Sequence, residues 1–197
     1  MKNFLHDDFT IGSRLFLTGI GLVYLIAFIS LWLQVEGLFG SEGIMPVELY
    51  FNRLTGQENP WSYILRYPSL LWLDYFFNLG GSFLHTLCGV GVVLSILAVF
   101  NWHRGISLLS CWLFYLSLVT LGSPFLSFQW GNLLLETGFL AIWLSGFRRR
   151  DQKPSPFILL ITFLLLFRLM FFSGYVKLGS NDPVWWNLTA LGLHFET

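Results

Sequence analysis

Charged residues are scarce in this sequence. Only 11% of the 197 residues are Asp, Glu, Lys or Arg, whereas 55% are apolar and the mean hydropathy is +0.65. An ordinary soluble domain carries about 25% charged residues to coat its surface, so this composition excludes such a domain and indicates a surface that mostly faces lipid. The 11 basic and 11 acidic residues balance, which gives no sign of a nucleic-acid partner.

Only two residues are cysteine, and the usual signatures of metal and cofactor sites are missing. Cys88 and Cys111 both lie in apolar stretches, where they are expected to be small apolar side chains rather than a disulfide. His6 and His103 lack ligand-type spacing to another His, Cys or carboxylate, and no phosphate loop, nucleophile elbow or zinc motif occurs. We therefore predict no metal and no cofactor. His85, alone on an apolar stretch, is expected to be a packed or hydrogen-bonded histidine.

Long apolar runs dominate the chain instead. A helix needs about 20 apolar residues to cross a hydrocarbon core of about 30 Å. Five segments are read as meeting this condition: residues 15–33, 81–100, 105–122, 131–147 and 157–176. The first run has no small-residue cleavage site after it, which favours an uncleaved signal-anchor helix. The predicted fold class is an all-α membrane protein, a single domain over residues 1–197 with about five transmembrane helices.

Residues 34–80 are predicted to be an extracytosolic loop, which begins with the longest polar region of the chain, Gln34–Pro68. Within it, Leu70–Phe77 is apolar but too short to span the bilayer. Its aromatic side chains predict a helix that lies in the membrane interface.

Basic residues predict the orientation of the chain. The five-span arrangement places seven on one side and three on the other: Lys2, Arg14, Arg104, Arg148, Arg149, Arg150 and Lys153 against Arg53, Arg66 and Lys177. Because cytosolic loops are richer in Lys and Arg, the N-terminus is predicted to be cytosolic and the C-terminus extracytosolic.

Two ionisable residues, Glu136 and Arg168, fall within predicted spans. Such a residue at a helix centre costs about 2.5–3.5 kcal/mol, so each needs a partner. A rise of about 1.5 Å per residue puts them about 7.5 and 12 Å below the outer surface, within reach of one another. We predict a Glu136–Arg168 ion pair between two consecutive helices.

The fourth span also carries a polar face. Gln129, Asn132 and Glu136 are spaced by three and four residues, so they share one side of the helix, and we expect this side to point into the bundle. The ion pair could serve only to lock two helices together, or it could belong to an intramembrane polar site. The sequence leaves both readings open.

A second cluster follows the last span. Apolar surroundings would favour a neutral amine at Lys177, which could act as a general base, whereas the alternative is a lysine that snorkels to the interface. Lys177 and Arg168 are nine positions apart and face opposite ways on an unbroken helix. A site that used both would therefore require the helix to break near Gly174.

Several stretches, in order along nearly the whole chain, resemble the membrane region of the lipase maturation factor family. They are GSEGIMP at 40–46, PFLSFQW at 124–130, LLLETGFL at 133–140, LFRLMF at 166–171, GYVKL at 174–178, DPVWWNLTAL at 182–191 and HFET at 194–197. The resemblance marks Asp182, Trp185, His194 and Glu196 as an extracytosolic motif.

This resemblance implies a multi-pass membrane protein that assists the folding, assembly or maturation of secreted proteins, lipases in particular. The expected partners are membrane lipid and a secreted lipase client. The expected location is the endoplasmic reticulum membrane in a eukaryote, or the plasma membrane in a bacterium. Family members carry a further extramembrane domain after the stretch that matches His194–Thr197, and this domain is expected to be absent here. Gly131 stands where the family leads us to expect an acidic residue.

The same region is distantly similar to the membrane domain of vitamin K-dependent gamma-carboxylase. That similarity implies a different function, in which Lys177 is the catalytic base of a membrane enzyme and Arg168 and Glu136 line a cavity for a lipid-like or quinone-like substrate. It rests on analogy of fold and motif. The maturation factor, which is not an enzyme, is the favoured interpretation because the resemblance to that family is closer.

Overall fold

A computed structural model describes residues 4–47, 49, 66–77, 82–122, 125–126, 128–146 and 155–195. Throughout these residues the regular structure is helical, with no strand, which confirms the predicted all-α class. The helices are α1 (Phe4–Phe39), α2 (Leu71–Phe77), α3 (Ser82–Val99), α4 (Arg104–Leu121), α5 (Gln129–Ser145), α6 (Pro156–Gly179), α7 (Pro183–Trp186) and α8 (Ala190–Phe195). They divide into two units, Met1–Ser155 and Pro156–Thr197.

Four long helices form the first unit. α1 packs against α3, α3 against α4, α4 against α5, and α5 returns to contact α1. Three aromatic rings occupy the centre: Tyr24 and Phe28 of α1 stack at 6.2 Å, and Tyr115 of α4 meets both edge-on at 5.9 and 6.0 Å. Offset and edge-to-face contacts of this kind are the preferred geometries for aromatic pairs. The core therefore depends on bulky rings from α1.

Arg104 joins three helices at the end of the bundle that is predicted to be cytosolic. Its guanidinium donates to the carbonyl oxygens of Ala98 and Val99 at 2.9 and 3.2 Å, and to the hydroxyl of Thr18 on α1 at 3.0 Å. The last carbonyls of a helix carry partial negative charge and lack helical partners, so a cation there satisfies them. Arg104 thus caps α3 from the first turn of α4.

The short helix predicted in the long loop forms as α2, and side-chain hydrogen bonds hold the residues before it against α4. The hydroxyl of Ser69 donates to the carbonyl of Ser117 at 3.0 Å, and the Leu70 amide donates to the Ser117 hydroxyl at 2.9 Å. Leu71 and Trp72 are buried in the first unit, whereas Leu73, Phe76 and Phe77 are exposed. The placement of this exposed side in the membrane interface stays a prediction.

In the part of the chain that the structure describes, three helices are long and apolar enough to cross a membrane: Phe9–Phe39 within α1, Ser82–Val99 and Pro156–Gly179. They correspond to the first, second and fifth predicted spans. The third and fourth predicted spans also form helices, α4 and α5, but these are shorter. The chain is thus a multi-pass membrane protein. That the chain has five spans, and which way it is oriented, stay predictions. The basic run Arg148–Lys153, on which the predicted orientation largely depends, lies outside the described residues.

Candidate functional site

The predicted polar face of α5 forms, on the side that turns away from the core of the first unit. Gln129, Asn132 and Glu136 are exposed, whereas Gly131 and Leu134 on the other side are buried. The spacing of three and four residues places the polar side chains on one side of the helix. Within the first unit this side does not face the core, so its expected position inside the bundle stays a prediction. The Glu136–Arg168 pair joins residues of the two separate units, so it stays a prediction.

α6 runs unbroken from Pro156 to Gly179, straight through Gly174. A helix turns by about 100° per residue, so Arg168 and Lys177, nine residues apart, point in opposite directions. The helix break that a shared site would require does not occur. Arg168 and Lys177 therefore lie on opposite faces of α6.

Lys177 is placed against Trp185, one of the residues of the predicted extracytosolic motif. After Gly179 the chain reverses at Asn181, whose φ of 52° is left-handed, and the Ser180 hydroxyl donates to the carbonyl of Lys177 at 2.8 Å. The reversal brings the Lys177 ammonium to 4.9 Å from the centre of the Trp185 ring. This distance is typical of a cation–π interaction, which uses the charged form of the amine.

Asp182 has a structural role in the same turn. Its carboxylate accepts a hydrogen bond from the Val184 amide at 3.0 Å and caps α7, with Pro183 at the first helical position. Both features favour the start of a helix. The structure therefore brings Lys177, Asp182 and Trp185 into one compact turn. His194 belongs to α8, but its side chain lies outside the described residues, as does Glu196.

A cluster that the sequence did not predict joins α1 to α3. The Trp32 indole N–H donates to Nδ1 of His85 at 3.1 Å, and Nε2 of His85 lies 3.1 Å from the Glu36 carboxylate. We call this group the Trp32–His85–Glu36 cluster. The prediction of a hydrogen-bonded His85 is confirmed, and both of its partners come from α1. The one signal in the sequence was that Trp32 and Glu36, four residues apart, share a helix face.

The loop that follows α1 positions the end of this helix. The amides of Gly40, Ile44 and Met45 donate to the carbonyls of Glu36, Gly37 and Leu38 at 2.9–3.0 Å. The chain folds back so closely that a Cβ on Gly43 would lie 2.9 Å from the Glu36 carbonyl oxygen. The GSEGIMP stretch therefore packs onto the helix turn that carries Glu36.

The described residues contain no group of three or more His, Cys, Asp or Glu side chains that could hold a metal ion. Cys88 and Cys111 are buried as free thiols, and Cys111 lies 3.5 Å from the hydroxyl of Ser95 in the core. These thiols pack as small apolar groups.

The sequence model described as "Lipase maturation factor transmembrane domain" matches residues 11–197. The chain belongs to the lipase maturation factor family. Among its relatives, lipase maturation factor 2 of Xenopus tropicalis is 43% identical over 92% of this chain and 27% of that protein. Lipase maturation factor 2 of Homo sapiens is 40% identical over 94% and 29%, and lipase maturation factor 1 of Mus musculus is 34% identical over 92% and 33%. No solved structure matches the chain.

Two facts follow for this member of the lipase maturation factor family. The match confirms the resemblance and covers the GSEGIMP loop, the polar face of α5 and the turn that carries Lys177. The chain spans about a third or less of the length of these relatives. Membership therefore establishes a membrane domain of this family, and the activity of the longer proteins does not transfer with it automatically.

Proposed function

We propose that this chain is the membrane part of a factor that assists the maturation of secreted lipases, without being an enzyme itself. The observation that carries the proposal is the match of residues 11–197 to the lipase maturation factor transmembrane domain, supported by 40–44% identity to several proteins named lipase maturation factor 2. The client, a secreted lipase, is inferred from those names. The membrane is that of the endoplasmic reticulum in a eukaryotic cell and the plasma membrane in a bacterium.

The architecture suits a scaffold that works beside a secretory compartment. In the predicted orientation, the GSEGIMP loop, α2 and the Lys177–Trp185 turn all belong to extracytosolic segments, where secreted proteins fold. Hydrogen bonds or ring contacts stabilise each of these segments. Ordered elements lose less conformational entropy when they bind a partner, so a client that bound any one of these segments would meet an ordered element.

The geometry of α6 does not favour the membrane enzyme with Lys177 as its base. That mechanism needs Lys177, Arg168 and Glu136 around one cavity, but the unbroken helix turns Lys177 and Arg168 to opposite sides. Lys177 instead contacts the Trp185 ring at 4.9 Å, a distance typical of a cation–π interaction. This contact supports a structural role for Lys177.

Deletion and complementation test the proposal. In cells that lack the gene, the specific activity of a secreted lipase, measured as activity per immunodetected molecule, is expected to fall while lipase synthesis stays unchanged. Expression of the full chain should restore it. A secreted enzyme of another class is the control and should keep its specific activity. If lipase activity per molecule stays normal, or if all secreted enzymes lose activity alike, the proposal is wrong.

A further inference from the structure

The Trp32–His85–Glu36 cluster uses both nitrogens of one imidazole ring. The indole of Trp32 can only donate a hydrogen bond, so the 3.1 Å contact requires Nδ1 of His85 to be the acceptor. In a neutral ring the proton then resides on Nε2, which donates to Glu36 at 3.1 Å. The two contacts to α1 together select the neutral ring and one of its tautomers.

Protonation of His85 changes one of these contacts and preserves the other. An imidazolium carries a proton on both nitrogens. The N–H at Nδ1 would then face the N–H of Trp32, and two donors cannot form a hydrogen bond. The contact of Nε2 with Glu36 would become an ion pair, which is stronger than a neutral hydrogen bond. The cluster can therefore keep both α1 partners only while His85 is neutral.

We propose that the Trp32–His85–Glu36 cluster is a proton-sensitive latch between α1 and α3, in which protonation of His85 releases Trp32 and retains Glu36. Histidine is the side chain that ordinarily changes its charge between pH 5 and 8. The side chain of His85 is 44% exposed and that of Glu36 is 66% exposed, and both residues lie within the terminal turns of their helices, so the cluster is not sealed inside the bundle. The latch sits at the extracytosolic end in the predicted orientation and does not depend on the nature of the client.

The other described ionisable groups on α3 and on the helices around it make no hydrogen bond to the His85 ring. Those with described side chains are Arg14 and Tyr24 on α1, Asp74 on α2, Cys88 on α3 itself, and Arg104, Cys111 and Tyr115 on α4, with Glu42 in the loop after α1. Arg104 binds at the other end of α3, and Tyr24, Cys88, Cys111 and Tyr115 are buried in the core. Among the described residues, Glu36 is the ionisable group within hydrogen-bond distance of the His85 ring.

The side-chain resonances of the full chain in lipid nanodiscs provide the test. The indole N–H signal of Trp32, identified by its loss in Trp32→Phe, is followed from pH 8 to pH 5 together with the ring signals of His85. We expect both to shift reversibly with the same midpoint. The Trp32 shift should disappear in His85→Gln, whose amide does not titrate in this range.

A matched control and three contradicting outcomes make the test decisive. His103 lies in the turn between α3 and α4, at the opposite end of the helix, with a left-handed φ of 46° that Asn tolerates. His103→Asn should therefore keep the full Trp32 shift. The latch is refuted if the Trp32 signal stays fixed while His85 titrates, if His85 does not titrate between pH 8 and 5, or if the shift persists in His85→Gln.

Discussion

The hydroxyl of Tyr24 occupies the space that a Cβ on Gly138 would fill. Tyr24 is fully buried, and its hydroxyl donates a hydrogen bond to the carbonyl of Leu134 at 3.4 Å. Small residues let the backbones of membrane helices approach closely. Tyr24 and Gly138 therefore set the separation of α1 and α5.

Gly138→Ala is expected to destabilise the first unit. Adding one methyl group to a closely packed interior typically costs about 1–3 kcal/mol, and the rigid neighbour leaves little room for relief. Thermal unfolding of the detergent-solubilised chain should show a lower midpoint. Gly19→Ala is the matched control, because a Cβ at Gly19 on α1 would meet no atom within 4 Å; an equal loss in both variants would contradict the explanation.

Arg104→Lys is expected to lower stability although the charge is kept. The guanidinium reaches Ala98, Val99 and Thr18 at once, and an ammonium does not reproduce this planar arrangement of donors. Hydrogen bonds to charged groups contribute about 1.5–3 kcal/mol, so thermal unfolding should again detect the loss. Because Lys preserves the positive charge that orients the chain, membrane orientation should not change. Thr18→Val, which removes a single acceptor, should cost less.

The sequence predicted the helices well because apolar length is a direct requirement of the bilayer. The second span was placed at 81–100 and α3 is Ser82–Val99; the fifth was placed at 157–176 and α6 is Pro156–Gly179. α1 extends beyond its apolar run at both ends, from Phe4 to Phe39. Helical hydrogen bonds are internal to the segment, so a helix can continue past the point where the hydrophobic signal stops.

The candidate sites were harder to predict, because they depend on which helix faces meet. The link from Glu36 to His85 spans 49 positions and follows from the packing of α1 on α3, which periodicity alone does not reveal. At Gly174 the sequence allowed either a break or a continuous helix. A continuous helix satisfies its own backbone groups, for which lipid offers no other partners. The structure selects the continuous helix, and this choice separates Lys177 from Arg168.

Substitutions of Lys177 distinguish a structural cation from a catalytic base. Arg remains charged and stacks on aromatic rings, so Lys177→Arg should keep the contact with Trp185 and the specific activity of the secreted lipase. Lys177→Met removes the charge and should weaken the turn by about 0.5–1 kcal/mol, which faster limited proteolysis of the segment after Gly179 would reveal. Loss of function in Lys177→Arg at normal abundance would instead favour the base.

The predicted Glu136–Arg168 pair can be tested by exchanging the charges. Glu136→Ala and Arg168→Ala should each lower the amount of protein in the membrane, because each leaves a charge in a costly environment. The double exchange Glu136→Arg with Arg168→Glu should recover part of that loss. Gln129→Ala, on the same face of α5, is the control and should accumulate normally. The pairing is wrong if both single variants also accumulate normally.

Cysteine labelling from the extracytosolic side tests the predicted topology. Cys88 and Cys111 are buried, so the native thiols should react slowly with a membrane-impermeant maleimide. If five helices span the bilayer, cysteines placed at Ser127 and Ser180 should be labelled, and one placed at Lys153 should be labelled only after permeabilisation. Ser127, which lies between α4 and α5 in the sequence, is the informative position. Helices of 18 and 17 residues are about 27 and 26 Å long, slightly less than a core of about 30 Å. Protection of Ser127→Cys together with labelling of Ser180→Cys would mean that α4 and α5 do not cross, and that α1, α3 and α6 are the three spans.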